Sequence, residues 1–187
     1  MVNKKAFALV HILLVFGFII VSVLFSIFVI KNYSLSKKIS KTISQHESIY
    51  RFIVAYQFMC KTSSANVLTF KTCAGNNSEC KKGKIVTPGV TKISCSSKSV
   101  SAENVADYFV MHFNENGYVN YYKKNAKIDE NLKFCCLVKN TNPKKGKTYI
   151  YGDNKNNSIK ITTNVGSKLS EDVYLINTVD WPGKDFK

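Results

Sequence analysis

The side chains with the most chemistry to offer are six cysteines and three runs of lysine. The cysteines are Cys60, Cys73, Cys80, Cys95, Cys135 and Cys136. Their number is even and no Cys-x-x-Cys occurs. Zinc ribbons and dithiol redox centres need that spacing, so disulfides in an oxidising compartment are the expected use. Cys73 and Cys80 flank the turn-rich stretch Ala74-Gly75-Asn76-Asn77-Ser78-Glu79, which suits a local bridge and leaves Cys60 and Cys95 for longer-range partners. Neighbouring residues on a strand point to opposite faces, so Cys135 and Cys136 are expected to bridge to different partners. Spacing alone does not fix the connectivity.

The lysine runs are Lys81-Lys82-Gly83-Lys84, Lys123-Lys124 and Lys144-Lys145-Gly146-Lys147, with Tyr121, Tyr122, Tyr149 and Tyr151 close to two of them. Lysines beside tyrosines hold a nucleic-acid strand by charge and stacking. Lys81, Lys82, Lys84, Lys123, Lys124, Lys144, Lys145 and Lys147 are therefore the candidate DNA contacts. Solvated loops give the same pattern. The formal charge is +15, which suits nucleic acid, acidic lipid or acidic glycans alike. Arg51 is the only arginine. Phosphate recognition tends to recruit arginine's bidentate fork, and a lysine- and asparagine-rich composition is also what an AT-rich genome produces.

No constellation for catalysis is visible. The chain has no Gly-x-Ser-x-Gly elbow, no phosphate-binding glycine loop and no His-Glu-x-x-His. Of the histidines, His46 is expected on a polar helix face and His112 in an apolar strand, where a pairing with Asp107 has no local support. His11 lies inside an apolar run, where ionisable residues are rare and costly. No enzymatic activity, metal or cofactor is expected.

These residues must be positioned by an unusual frame. Ala6 to Ile30 is interrupted by polar side chains only at His11, Ser22 and Ser26. As a helix it would be about 37 Å long, against about 30 Å of hydrocarbon core. A single membrane span is the reading. A cleaved secretory signal would have a shorter apolar stretch and a small-x-small cleavage site, whereas here Lys31-Asn32-Tyr33 follows. Lys4 and Lys5 precede the span and Lys31, Lys37, Lys38 and Lys41 follow it, so lysine counts do not set the orientation. The cysteines, all beyond the span, place the C-terminal part on the oxidising side.

The start of the span, KKAFALVH from Lys4 to His11, runs into ILLVFGFIIVSVLF. It resembles the N-terminus of type IV prepilins and type II secretion pseudopilins: a short basic leader, a small residue, then an apolar helix opening with phenylalanine. The resemblance covers about the first 60 residues. It implies cleavage after Ala6 and methylation of Phe7, a leader over 1–6, a transmembrane helix over 7–30 and an amphipathic continuation over 31–59. It also implies an inner-membrane protein with its N-terminus in the cytoplasm and a periplasmic or extracellular domain over 60–187. Its partners would be the bilayer, other pilin-like subunits and an assembly platform, in secretion, a pilus or DNA uptake. Ala6 stands where the family has glycine. His11 stands where it has a glutamate that pairs with a neighbouring subunit's terminal amine, so His11 is the residue that sets assembly apart. Both departures point to a minor subunit, or to an anchored domain that does not polymerise.

Beyond the span, Ile39, Ile43, Tyr50, Ile53 and Gln57 form an apolar stripe with Lys37, Lys38, Lys41, Gln45 and Glu47 opposite. The helix is expected to run to about Met59. Short strands follow at Val67–Phe70, Ile85–Val86, Val90–Ser94, Lys133–Lys139, Thr148–Tyr151, Ile159–Thr163 and Val173–Thr178. Ser101 to Asn104 would cap a short helix, but Asn114-Glu115-Asn116-Gly117 favours a hairpin between strands Asp107–Phe113 and Tyr118–Tyr122. The fold class expected is α+β, a long N-terminal helix packed on a disulfide-tied antiparallel sheet, as in pilins.

Overall fold

The computed structural model describes residues 4–63, 66–73, 88–95, 101–123, 134–167 and 171–182. Ile85–Val86, Cys80, Lys81, Lys82, Lys84 and Lys124 lie outside them, as does the expected Cys73–Cys80 bridge. The chain divides into two units, Met1–Lys37 and Lys38–Lys187. Helix α1 is Lys4–Thr62. From Ile12 to Ile30 every large apolar side chain is 44–75% exposed. This stretch is apolar on all sides, and the helix is long and apolar enough to cross a membrane.

The second unit begins with an amphipathic stretch of α1. Thr42, Gln45, His46, Ile49, Ile53 and Cys60 are buried, at the three-, four- and seven-residue steps of one helical face. This face is more polar than the sequence suggests. Gln45, expected on the wet side, is buried, and Ile43, expected in the stripe, is 38% exposed.

Strands β1 (Val67–Cys73) and β2 (Pro88–Ser94) pair antiparallel as a separate two-stranded sheet. A disulfide joins Cys60 at the end of α1 to Cys95 just past β2. Helix α2, Ala102–Glu115, follows. It replaces the expected strand over Asp107–Phe113. Ser101 caps it, accepting a hydrogen bond from the Asn104 N–H at 3.3 Å, and Ala102, Val105, Ala106, Phe109, Val110 and Phe113 are buried at helical spacing. The Asn-Gly pair that suggested a hairpin is the helix stop. Gly117 has φ +79°, its N–H donates to the Asn114 carbonyl, and the Tyr118 N–H donates to Phe113 O at 3.1 Å. This is the αL termination that favours glycine.

Strands β3 (Cys136–Val138), β4 (Thr148–Asp153), β5 (Ser158–Asn164) and β6 (Tyr174–Asp180) form one sheet in that order. The pairs β4–β5 and β5–β6 are antiparallel hairpins. β3 runs parallel to β4, so the sheet is mixed rather than the antiparallel meander expected. The β4–β5 turn is shaped by Asp153, whose carboxylate accepts from the Lys155 and Asn156 N–H groups and the Asn156 amide. Those bonds hold its carboxyl below the usual range.

The core lies between the two helices and the sheets. Phe52 and Tyr56 of α1 meet Phe109 and Phe113 of α2, Phe70 of β1 packs on Tyr108 and Phe109, and Trp181 closes edge-on against Phe109. Gly152 lets α2 approach β4, because a Cβ there would stand 2.0 Å from the Ala102 carbonyl oxygen.

Candidate functional site

The lysine runs resolve into different environments. Lys147 is 4% exposed and its ammonium donates to Phe134 O at 2.5 Å. It is a structural cation and not the nucleic-acid contact expected of it. Its neighbours Lys144 and Lys145 are exposed, as is Lys123. Two lysines the clusters did not include join them. Lys38 of α1 lies 5.9 Å from the Tyr122 ring centre, Lys145 lies 5.4 Å from the same ring, and Lys41 lies 5.5 Å from Tyr121. Each contact contributes about 0.5–1 kcal/mol at such exposure. Burial, and then the Asp172 carboxylate, push the Tyr122 phenol up.

Side-chain amides and two glycines hold the backbone in this part of the head. Asn120 is 2% exposed. Its amide donates to Lys145 O at 3.2 Å and its oxygen accepts from the Tyr122 N–H at 2.9 Å. Asn164, fully buried, ties Pro143 O, Asp172 and the Gly166 N–H. Gln45 pairs with both backbone groups of Val119, at 3.2 and 3.1 Å. Asn114 does the same for Cys136, at 3.1 and 3.2 Å. A carboxamide carries both donor and acceptor, so each replaces a missing strand neighbour. Tyr122 then lies between Gly146 and Gly166, with φ +75° and +71°. A Cβ on Gly146 would meet Tyr122 Cδ2 at 2.6 Å, and one on Gly166 would meet Lys145 Cε at 2.4 Å and the Tyr122 hydroxyl at 2.6 Å. That hydroxyl donates to Val165 O at 2.6 Å.

The histidines also move. His46 is fully buried rather than on a polar face. His112 is on α2 rather than in a strand, with its ring stacked 4.7 Å from Phe52. His11 is an exposed residue of α1, and Ala6 and Phe7 belong to the same helix. Cys135 and Cys136 bond to each other, not to separate partners. Cys135 precedes β3 and is not part of a regular strand, so the alternation that separates neighbouring side chains does not apply. Both are fully buried.

A polar cleft of about 70 Å³ opens beside Lys139, Asn140, Asn142, Tyr151, Lys160 and Thr162, room for a few waters. Among the described residues no group of three or more His, Cys, Asp or Glu side chains is placed to hold a metal. No protein-family model, curated protein or solved structure matches the chain.

Proposed function

We propose that the protein is a minor pilin-like subunit: a head on a membrane-spanning helix, working by assembly and contact rather than by catalysis in a secretion, pilus or DNA-uptake machine. The observation that carries this reading is the double use of α1. One helix is apolar and uncovered over Ile12–Ile30, then buries a face including His46, Ile49 and Ile53 within the head. A pilin-like subunit needs that division, one part for lipid and for other such helices, the other for a folded domain. The KKAFALVH start adds a sequence signal of the same kind.

The test is the mature N-terminus, read by mass spectrometry from cells with an active prepilin peptidase. A chain beginning at methylated Phe7 supports the reading. An intact leader, Met1 to Ala6, overturns it. The departures at Ala6 and His11 favour, as the second reading, a signal-anchored domain that does not polymerise, and the intact leader is its expected outcome.

A further inference from the structure

We propose that Lys38, Lys41, Tyr121, Tyr122, Lys123 and Lys145 form a docking surface for anionic phospholipid headgroups. The inference needs the membrane span and not the assembly role. Its test reads lysine protection, whereas the assembly reading is tested at the N-terminus, so the two fail separately.

Charge and position carry the argument. Lys38 is eight residues beyond Ile30 and Lys41 is eleven. Both therefore belong to the stretch of chain that directly follows the apolar run, where clustered lysines attract anionic headgroups. Lys123 and Lys145 belong to loops more than 80 residues further along the chain. The fold nevertheless brings Lys145 to the same Tyr122 ring as Lys38, so a local basic segment becomes a broader patch.

The tyrosines suit an interface. Their rings are apolar and their tips polar, the combination enriched where membrane meets water. Tyr122 is also fixed rather than free. Two left-handed glycines leave it space, Asn120 accepts from its backbone and Val165 accepts from its hydroxyl. A surface of lysines in unconstrained loops would need none of this.

Lipid is favoured over nucleic acid on the ground of proximity. The span holds the bilayer at a high effective concentration, whereas a nucleic acid must be captured from solution.

The experiment uses the full chain reconstituted in vesicles of phosphatidylcholine alone or doped with phosphatidylglycerol. Lysines are acylated and the modified positions read by mass spectrometry. Lys38, Lys41, Lys123 and Lys145 should be protected about fivefold each by phosphatidylglycerol, with protection lost at high salt. Exposed Lys155, in the β4–β5 turn, should not change. The double variant Lys41→Glu/Lys145→Glu should abolish the protection of Lys38 and Lys123. Equal acylation in both vesicles overturns the proposal. So does protection by a single-stranded oligonucleotide added to neutral vesicles when phosphatidylglycerol gives none, an outcome that assigns the patch to nucleic acid.

Discussion

His46 and Thr163 are 117 residues apart in the chain, yet His46 Nδ1 lies 2.7 Å from Thr163 Oγ1. On the other side of the ring, Nε2 lies 2.5 Å from Asn177 Oδ1. An amide oxygen only accepts, so Nε2 donates to it, and Nδ1 shares the other hydrogen bond with the threonine hydroxyl. Thr163 Oγ1 in turn shares a hydrogen bond with Thr148 Oγ1 at 2.8 Å. The imidazole is thus hydrogen-bonded at both ring nitrogens inside the head, and α1 is keyed to β5 and β6 by direction as well as by apolar area.

The first prediction concerns this key. His46→Leu removes the ring partner of half-buried Asn177 and of buried Thr163, which keeps Thr148, at a total cost of about 1–3 kcal/mol. Asn177→Leu costs a similar amount. Because both break one network, the double variant should cost clearly less than the sum. Thermal unfolding of the detergent-solubilised chain measures this, and strict additivity would show that the two side chains are not coupled.

The cysteines give the second. Reducing Cys60–Cys95 opens a loop with a sequence separation of 35 residues and should cost about 2–5 kcal/mol. The adjacent pair should be found together in one non-reduced peptide, lighter by the two thiol hydrogens and with no other peptide attached. A cross-linked peptide joining Cys135 or Cys136 to any other cysteine would contradict the pairing.

The glycines flanking Tyr122 give the third. Gly166→Ala forces a side chain into a left-handed position, about 1–2 kcal/mol, and against Lys145 and the Tyr122 hydroxyl, about 1–3 kcal/mol more. A second change, Tyr122→Ala, should relieve part of this penalty by making room. A Gly166→Ala chain as stable as the parent would mean that the cradle is not tightly closed.

The large divisions of this molecule are legible from sequence because they rest on long patterns. The apolar run from Ala6 to Ile30 needs no context to be read, and the strands at Val67–Phe70, Val90–Ser94, Thr148–Tyr151, Ile159–Thr163 and Val173–Thr178 follow alternation and turn residues. What escaped reading depends on tertiary partners. Asn116-Gly117 ends a helix and suggests a hairpin equally well, and only the burial of Phe109 and Phe113 on one face decides. His46 and Gln45 look like surface residues until Thr163, Asn177 and Val119 are brought to them. Asparagine abundance reads as composition, yet Asn114, Asn120 and Asn164 serve as backbone substitutes. At the candidate surface, Lys123 and Lys145 are legible as part of lysine runs. Lys38 and Lys41 read as the polar side of a helix, and no local signal joins them to Tyr121 and Tyr122. Lys147 differs from Lys145 only in being folded inward.

Alkaline pH supplies the fourth prediction. Burial raises the Tyr56 phenol, and burial with Asp172 raises that of Tyr122. Each hydroxyl donates to a backbone carbonyl, Tyr56 to Thr69 O at 2.7 Å and Tyr122 to Val165 O at 2.6 Å. The unfolded chain ionises first, near pH 10. The stabilisation is therefore complete below about pH 10 and is lost as pH rises through the higher folded values. Tyr56→Phe/Tyr122→Phe should be less stable at neutral pH but should lose less stability between neutral and strongly alkaline solution. Parallel curves for parent and variant would remove the tyrosines from the alkaline transition.

The fifth concerns His11 and follows from the pilin-like reading. In that family an intramembrane carboxylate draws in the terminal amine of the next subunit. A neutral imidazole supplies no counter-charge and an imidazolium repels the amine, so a chain with His11 should not form the repeating body of a filament. It should be present in few copies, at a tip or in an initiating complex. His11 lies only a few residues into the apolar run, near the leaflet edge, where a polar group reaches water by snorkelling. His11→Glu should therefore still insert, and restoring the carboxylate should raise the number of copies incorporated. The measurement is the ratio of this protein to the major subunit in sheared filaments, for the parent and for His11→Glu. A parent present at near-equal stoichiometry would show that the missing carboxylate does not limit assembly, and the assignment to a minor position would fall with it.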